Sequence, residues 1–256
     1  AQLRELQEYR DLHLVQADRV LLCVIGGVKV ETLQPTMEEQ LGSINLTSKT
    51  LPPATATLKT AKDHVVPWDI NVTHYMETYA IPNVEHRDYP ALYMASLLLR
   101  IACMQDAQLK ELIGHVFCGI DLITPEQIYL YVNASLKSDT DIEKGKERIG
   151  ELIDQLKQPE KNAMVPMYAM NLSMQLASPP DIALIMQQKP IGITEDMMLG
   201  NIGLQWGMLV YQYGDALPKL ASALASVTAS DVADVVNRYL TKDKRMTLLL
   251  TPPSLK

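Results

Sequence analysis

The chain has 256 residues, of which 47% are hydrophobic, and its formal net charge is −7. A chain of this length and composition can bury a substantial core, which excludes an intrinsically disordered polypeptide. No run of basic residues interleaves with aromatic residues, which argues against a nucleic-acid partner, and the longest apolar runs, over residues 19–30 and 91–104, are too short or too charged to span a bilayer.

The amino-terminal quarter joins a helical pattern to an apolar run. Residues 1–14 place apolar side chains near the helical period, and the continuous run RVLLCVIG over residues 19–26 predicts a buried strand. Two glycines end this strand, and residues 30–41 return to helical spacing. Residues 42–61 are rich in Ser, Thr and Pro, which predicts a loop across the surface.

The next strand contains a sequence that looks like part of a zinc-protease signature. Residues 71–81 alternate as a strand, with His74 on one face and Glu77 on the other. These two side chains therefore cannot converge on one zinc ion, whose ligands lie about 2 Å from it. The HxxEH and HExxH signatures bind zinc because a helix places two histidines, four residues apart, on one face.

The histidine spacing predicts no metal site elsewhere in the chain. No two histidines lie four residues apart, so we assign His74 to cross-strand packing and His86 to a turn. We accordingly predict no catalytic, cofactor-binding or metal-binding residue in this chain. The five histidines are His13, His64, His74, His86 and His115.

The three cysteines also give no chemical motif. Cys23, Cys103 and Cys118 lie in apolar stretches, with no CxxC pair and no histidine at ligand spacing. They are predicted to be core residues, since free cysteine is buried like a small hydrophobe. A self-contained enzyme is the least supported hypothesis, because the sequence offers no Ser-His-Asp, Cys-His or paired-carboxylate arrangement.

The middle of the chain predicts the core. Asp88 can cap a long helix that extends to about Gln105 and is apolar nearly all round, so this helix is expected at the centre. Four elements follow it: a helix over residues 106–113, a short strand between Gly114 and Gly119, a strand over 126–136 and a surface helix over 141–156.

The second half of the chain is mostly helical in pattern. The pattern covers residues 159–227, with breaks at 178–180 and 189–192. Thirteen methionines, concentrated in this half, fit either adaptable core filling or a flexible binding surface, and core filling is the commoner explanation. A capping box over residues 228–231 opens a closing helix, and residues 245–251 predict a last strand that rejoins the sheet.

These elements predict an α+β fold in which an antiparallel-rich mixed sheet packs against helices. We predict a single domain over residues 1–256. Its parts are a leading helix (1–18), an αβ core (19–158), a helical array (159–227) and a closing helix and strand (228–256).

Three stretches resemble insulinase-like zinc metallopeptidases, the superfamily of pitrilysin and the mitochondrial processing peptidase. Residues 19–44, RVLLCVIGGVKVETLQPTMEEQLGSI, resemble the segment that opens the second domain of these enzymes. Residues 86–99, HRDYPALYMASLLL, are similar to its Asp-x-x-Ala helix, and residues 213–252 are similar to its closing helix, charged turn and strand. The resemblance implies the LuxS/MPP-like metalloprotease fold.

The resemblance also implies which half of such an enzyme this chain is. In the family, a first domain carries an HxxEH helix with zinc, and a second, metal-free domain closes a clam shell around the peptide. This sequence contains no HxxEH, so zinc is expected on a partner domain and not here. Active members often carry an Arg and a Tyr in a segment that here reads AQLKELIGHVFCGID, residues 107–121, which keeps Leu109 and Leu112 and lacks both.

Two functions remain open at this point. The first is a non-catalytic domain of a zinc metalloendopeptidase that encloses peptides together with an HxxEH-bearing domain or a homologous subunit. The alternative is a structural or assembly subunit of the same fold with no proteolytic role. The sequence begins at Ala1 without a visible signal peptide, which would fit a processed chain or an excised fragment, periplasmic or otherwise extracytoplasmic if a signal was removed.

Overall fold

A computed structural model describes residues 2–13, 20–44, 63–124, 127–137, 141–187 and 192–253. The chain divides into two compact units, the first comprising Ala1–Thr55 and Pro179–Gly214 and the second comprising Ala56–Ser178 and Asp215–Lys256. The prediction of a single domain over residues 1–256 stays a prediction. A compact unit counts as a separate domain only if it can fold alone, and compactness does not show this. Most of the predicted loop over 42–61, and most of the predicted break over 189–192, lie outside the described residues.

Helices make up most of the described structure. In chain order they are α1 Leu3–His13, α2 Val30–Leu41, α3 Tyr89–Gln105, α4 Ala107–Leu112, α5 Ile142–Leu156, α6 Val165–Ala177, α7 Ile182–Gln187, α8 Glu195–Tyr213, α9 Leu217–Leu224 and α10 Ala229–Tyr239. Short 3-10 turns occupy Pro159–Asn162 and Gly214–Ala216. Within the described ranges, every helix is too short or too polar to cross a membrane.

The second unit holds a five-stranded mixed sheet. In chain order its strands are β1 Asp63–Pro67, β2 His74–Ile81, β3 Ile113–Thr124, β4 Gln127–Leu136 and β5 Arg245–Thr251. Their spatial order is β1-β5-β2-β4-β3, in which β1 and β5 run parallel and the other described pairs are antiparallel. The predicted α+β fold is confirmed, and so is the return of the last strand to the sheet.

Alternation along the strands gives this sheet a covered face and an open face. On β2, Tyr75, Glu77 and Tyr79 are buried on the covered face, whereas His74 and Met76 on the open face are half-buried. The pairing register extends both faces across the sheet, because residues directly opposite each other on neighbouring strands point the same way. The covered face of β4 consists of Ile128, Leu130, Val132 and Ala134, all buried as their alternation predicts.

The central helix α3 has the position that its composition predicts. It packs against β3 and β4, and Leu92, Met94 and Leu99 are fully buried. Pro90 lies in its first turn, where a missing N–H costs no intrahelical hydrogen bond. Helices α5 and α10 pack against α3, so the core of the second unit lies between these helices and the covered face.

Asp88 joins the start of α3 to the end of α10. The predicted capping role is wrong for its side chain, which makes no capping hydrogen bond. Its carboxylate instead accepts hydrogen bonds from Arg238 Nη1 at 2.6 Å and from the Tyr239 hydroxyl at 2.9 Å. The hydrogen bond from Arg238 is the largest reason that the pKa of Asp88 lies below its usual value. Helix α10 itself begins with the predicted capping box, formed by Thr228 and Asp231.

Strand β3 is longer than the sequence predicts. It runs for twelve residues, and Gly114 and Gly119, the predicted limits, both lie inside it. A Cβ atom at Gly119 would lie 3.1 Å from the Tyr131 hydroxyl oxygen and 3.3 Å from its ring atom Cζ. The tyrosine thus occupies the space of the missing side chain, so this glycine marks a close approach and does not end the strand. Strand β1 was not predicted, because its five residues are mostly exposed and lack an alternating pattern.

The first unit buries very little of its own surface. Helices α1, α2 and α7 contain no buried residue, and α8 buries only Gly203 and Tyr213. Residues 20–25 have no regular secondary structure, and their side chains are mostly exposed. The predicted buried strand over residues 19–26 is therefore wrong where the structure describes it, over residues 20–26, in both its secondary structure and its burial.

Methionine and cysteine burial also differs from the prediction. Of the thirteen methionines, only Met94 is buried, so core filling is wrong as their general explanation. Cys103 and Cys118 are buried as predicted, but Cys23 is exposed. The exposed methionines are Met104, Met164, Met167, Met170, Met174, Met197 and Met208.

Candidate functional site

The two residues that suggested a zinc signature lie on opposite faces of β2. Glu77 points into the covered face and is fully buried, whereas His74 lies on the open face. His74 pairs with Ser135 and Leu250 of the neighbouring strands, which matches the predicted cross-strand packing. The strand geometry therefore separates this histidine and this glutamate, as the period of two requires.

Glu77 is the centre of a buried polar cluster on the covered face. The hydroxyl of Tyr75 donates a hydrogen bond to Oε2 of Glu77 at 2.7 Å, and the hydroxyl of Tyr79 donates to Oε1 at 3.3 Å. The guanidinium of Arg245, on the adjacent strand β5, lies 3.8 Å from Oε2. Both carboxyl oxygens thus have partners, as a buried carboxyl group needs. We call these four residues the Glu77 cluster.

Burial sets the protonation of this cluster. Loss of solvation raises the pKa of Glu77 above its ordinary value, although the hydrogen bond from Tyr75, the charge of Arg245 and the hydrogen bond from Tyr79 all lower it. Burial also raises the pKa of Tyr75 and of Tyr79, with a further increase from the nearby Glu77. Both phenols therefore stay protonated and remain hydrogen-bond donors over the whole physiological range.

A polar cleft adjoins the Glu77 cluster through Arg245. Its volume is 570 Å³, and several of its charged residues form ion pairs, one of them within the cleft and the others with residues outside it. Lys146 lies 2.8 Å from Glu143, Lys157 outside the cleft lies 2.5 Å from Asp154, and Arg148 binds Glu151. The cleft is lined by Asp63, Glu143, Lys146, Glu147, Gly150, Glu151, Asp154, Lys242, Arg245 and Thr247.

The burial of Glu77 limits what the cluster can contact. Glu77 is fully buried, so its carboxyl group cannot contact a substrate in the cleft. Among the residues that the structure describes, no three or more His, Cys, Asp and Glu side chains are grouped so that they could hold a metal ion. The Glu77 cluster links β2 to β5 through the contact of Glu77 with Arg245.

Three of the five histidines lie on the open face, but they are too far apart to bind one metal ion. His74 and His115 belong to strands β2 and β3, with β4 and its Ser135 between them. Two strand spacings separate them by about 10 Å. His64 lies on β1, opposite Leu248. Of the two others, His86 lies in the turn region before α3 as predicted, and His13 is the last residue of α1.

The segment that should carry the family's Arg and Tyr forms α4 and the first part of β3. Asp106 caps α4 by accepting a hydrogen bond from the Leu109 backbone N–H at 2.7 Å. The two leucines that match the family have packing roles, since Leu109 is fully buried and Leu112 is half-buried. Asp106 also binds Arg148, with Nη2–Oδ2 at 2.6 Å, which ties α4 to α5.

The first unit contains an exposed apolar segment, residues 20–25, that has no regular secondary structure. Cys23 and Ile25 face helix α8, where the places of absent Cβ atoms at Gly207 and Gly203 lie 3.1 Å from Cys23 Cβ and 3.6 Å from Ile25 Cδ1. No backbone hydrogen bond links residues 20–28 to any other described residue. The large side chains of this segment remain between 44% and 51% exposed at Val20, Leu21, Leu22 and Val24.

The sequence did not predict the Glu77 cluster or the exposure of residues 20–25, for identifiable reasons. The pattern Tyr-x-Glu-x-Tyr on an otherwise apolar strand face could have indicated a buried carboxyl group with two phenol donors. Arg245 could not be assigned to this cluster, because it lies 168 positions after Glu77 in the sequence. The apolar run over residues 19–26 predicted a buried strand, but no strand forms over the described residues 20–26, because an apolar run does not reveal whether a partner strand is present.

Comparison with known structures gives one group of similar proteins. A protease from Helicobacter pylori matches with a TM-score of 0.69 and 19% identity, over 98% of this chain and 60% of that chain. The first half of the periplasmic protease PqqL from Escherichia coli matches with a TM-score of 0.55 and 11% identity, over 88% of this chain and 50% of that chain. A putative M16-like peptidase from Alicyclobacillus acidocaldarius matches with a TM-score of 0.53 and 13% identity, over 89% of this chain and 53% of that chain.

These matches establish the fold and the family at different levels. At such identities the structural likeness shows a shared fold, and this chain spans 50% to 60% of the length of those three chains. No curated protein sequence matches the chain. The sequence profile described as the peptidase M16 inactive domain, however, matches residues 1–162, which is more than half of the sequence. The chain therefore belongs to the peptidase M16 inactive-domain family.

Proposed function

We propose that this chain is the non-catalytic half of a zinc metalloendopeptidase, which encloses peptides together with an HxxEH-bearing domain. Membership of the inactive-domain family supports this proposal, as does the absence of an HxxEH sequence from all 256 residues. Peptide hydrolysis at neutral pH needs an activated nucleophile and a group that stabilises the oxyanion. Both would come from the partner domain together with its zinc.

The observation that carries the proposal is the exposed apolar segment over residues 20–25. Residues 20–25 lie beside α8, with Cys23 and Ile25 next to Gly207 and Gly203, while Leu22 and Val24 are 50% and 44% exposed. Their backbone groups have no partners among the described residues. A neighbouring strand would supply those hydrogen bonds and cover the outward side chains.

A permanent partner fits this segment better than a transient one. An exposed, flat and apolar strand is an aggregation hazard, which proteins normally avoid with charges, proline or a cover. No charged residue interrupts VLLCVI over residues 20–25. A partner domain that adds its own strands next to this segment would remove the hazard, and it would bring the two halves of the chamber together.

The test combines the chain with an HxxEH-bearing counterpart and measures two quantities. Association is followed by hydrogen exchange of the backbone amides of residues 20–25, and activity by turnover of unstructured peptides with zinc present. We expect protection of these amides and turnover in the mixture, and neither in the chain alone. Turnover by the chain alone, abolished by a chelator, would overturn the proposal.

Charge substitutions test whether residues 20–25 form the surface that associates with the partner domain. Val24→Lys places a charge on the outward side of the segment and is expected to prevent association. Val72→Lys is the matched control, because Val72 is 45% exposed, close to Val24 at 44%, but precedes β2 in the second unit. Equal loss of association in both variants would contradict a role for residues 20–25. Association without turnover would instead favour a structural subunit, which the missing Arg and Tyr in residues 107–121 also fit.

A further inference from the structure

Two of the three cysteines lie where helix α3 packs against strand β3. Cys103 is in the last turn of α3 and is fully buried, and Cys118 is near the middle of β3 and is 6% exposed. Both are free thiols. The third cysteine, Cys23, is exposed and belongs to the first unit.

The thiols of Cys103 and Cys118 meet between the helix and the sheet. Cys118 lies directly opposite Val132 of β4, which is fully buried on the covered face, so Cys118 points to the same face. Helix α3 packs against β3 there. The two thiols form a hydrogen bond with each other, which raises the pKa of Cys118 above its ordinary value, and burial raises it further. Two cysteines in this arrangement are directed at each other, which a disulfide requires.

The surroundings of the pair offer it no metal chemistry. Over the ranges that the structure describes, there is no group of three or more His, Cys, Asp and Glu side chains that could hold a metal ion. A structural zinc site needs four such ligands, and the pair supplies two. The chemistry open to two adjacent thiols is therefore the formation of a bond between them.

We propose that Cys103 and Cys118 form a disulfide during folding, which ties α3 to β3. The oxidant is a disulfide compound such as oxidised glutathione. The thiolate of one cysteine attacks a sulfur atom of this compound, which gives a mixed disulfide and releases one thiol of the oxidant. The thiolate of the other cysteine then attacks the cysteine sulfur of the mixed disulfide, which forms the protein S–S bond and releases the second thiol. The protein loses two electrons and two protons, and the oxidant gains both.

Burial determines when this reaction takes place. The attacking species is a thiolate, and the raised pKa of Cys118 makes it rare in the folded chain. The buried sulfur atoms are also out of reach of a dissolved oxidant once α3 lies on β3. The exchange therefore occurs before these two elements pack, and the same burial then protects the finished bond from reductants.

The bond would close a short loop. Cys103 and Cys118 are 15 positions apart, and the segment between them contains α4. Closing a loop of this length restricts the unfolded chain. We expect the linked chain to melt roughly 5–10 °C above its reduced form. The inference does not depend on the proposed peptidase function, because it concerns two residues in the core of the second unit.

The experiment uses the whole chain with Cys23→Ser, which removes the exposed thiol and leaves only the pair. The protein is unfolded in urea and refolded with a mixture of oxidised and reduced glutathione. Remaining thiols are then blocked under denaturing conditions, and the tryptic peptides are identified by mass spectrometry. We expect the peptides of residues 101–110 and 111–137, each of which contains one of the two cysteines, to be found linked.

A second measurement tests the timing of the reaction. The chain with Cys23→Ser is first refolded under reducing conditions and then placed in the same glutathione mixture. We expect the bond to form about tenfold or more slowly than during refolding, because reaction now requires local opening of the contact between α3 and β3. Equal rates would overturn the assignment of the reaction to the folding chain.

Single-cysteine variants provide the controls. Cys103→Ala and Cys118→Ala, each combined with Cys23→Ser, should melt at the same temperature with and without glutathione, and circular dichroism shows whether they fold. The peptide analysis of the Cys23→Ser chain does not depend on these variants. Blocked thiols at both Cys103 and Cys118 after refolding in the glutathione mixture would overturn the proposal. A link between two separate chains, or a linked chain that melts no higher than the reduced one, would overturn it as well.

Discussion

At the scale of single residues, Glu77 couples the stability of the second unit to pH. Its carboxyl group is fully buried and its pKa is raised, chiefly because burial disfavours the charged form. Above the ordinary pKa of a glutamate, the folded state therefore holds a proton that the unfolded state has released. The free energy of unfolding falls with rising pH in that window, by at most about 1.4 kcal/mol per pH unit.

The first prediction follows from this linkage and uses Glu77→Gln. The amide cannot ionise and can still accept a hydrogen bond from Tyr75. As the pH rises from 5 to 8, we expect the free energy of unfolding of the variant to increase relative to that of the original chain. Urea denaturation at both pH values measures this difference. Glu85→Gln is the control, because Glu85 is exposed. A difference between the Glu77 variant and the original chain that stays constant with pH would contradict the prediction.

Single residues also show where sequence reasoning reaches its limit. The separation of His74 and Glu77 could be predicted, because the period of a strand depends on neighbouring positions alone. The Tyr75 and Tyr79 contacts with Glu77 are also local and were available in principle. The Arg245 contact depends on the pairing of β2 with β5, which no local pattern specifies.

At the scale of secondary-structure elements, α5 offers a matched pair of glycines. No atom lies within 4 Å of a Cβ placed on Gly150, whereas a Cβ on Gly145 would lie 3.2 Å from Cδ2 of Leu136. Glycine in a helix interior costs roughly 0.5–1 kcal/mol relative to alanine. The two positions therefore share this helix penalty and differ in the space around them.

The second prediction is that Gly150→Ala raises the free energy of unfolding by about 0.5–1 kcal/mol. Gly145→Ala should gain less or lose stability, because its methyl group pushes against the buried side chain of Leu136. Urea denaturation of both variants at one pH measures the two changes. An equal gain at both positions would show that the contact with Leu136 relaxes freely.

The third prediction concerns β5, which lies between β1 and β2. A chain ending at Leu240 would leave β2 with one unpaired edge and β1 without its neighbour in the sheet. We expect this truncated chain to lose cooperative thermal unfolding, whereas a chain ending at Thr251, which keeps the whole of β5, should retain it. Cooperative melting of the shorter chain at an unchanged temperature would show that β5 is dispensable.

The elements themselves were predicted with uneven success, for physical reasons. Helix α10 and β4 carry a capping box and a clean alternation, and both occur where the sequence predicts them. Strand β3 was predicted too short, because a glycine that accommodates Tyr131 looks like a strand end in sequence. Core filling was the wrong choice for most methionines, because a methionine at helical spacing fits a core as well as a surface.

At the scale of the whole molecule, the proposed division of labour places zinc on the partner domain. The sequence has no two histidines at the spacing of the family signature, and His74 and Glu77 lie on opposite faces of β2. The fourth prediction is that the purified chain, after removal of any affinity tag, contains no stoichiometric zinc. Elemental analysis measures this directly. One tightly held zinc ion per chain would contradict both the prediction and the assignment of the metal to the partner.

The position of β5 within the sheet also determines when the second unit can be completed during synthesis. Strand β5 separates β1 from β2 in space, yet it is made last, and the paired residues Asp63 and Thr247 are 184 positions apart. A ribosome that adds about 5–20 residues per second needs roughly 10 to 30 seconds to travel from β2 to β5. For that interval the nascent chain exposes the apolar strand edges that β5 later covers, so its yield in the cell should depend on chaperones that protect it while translation continues.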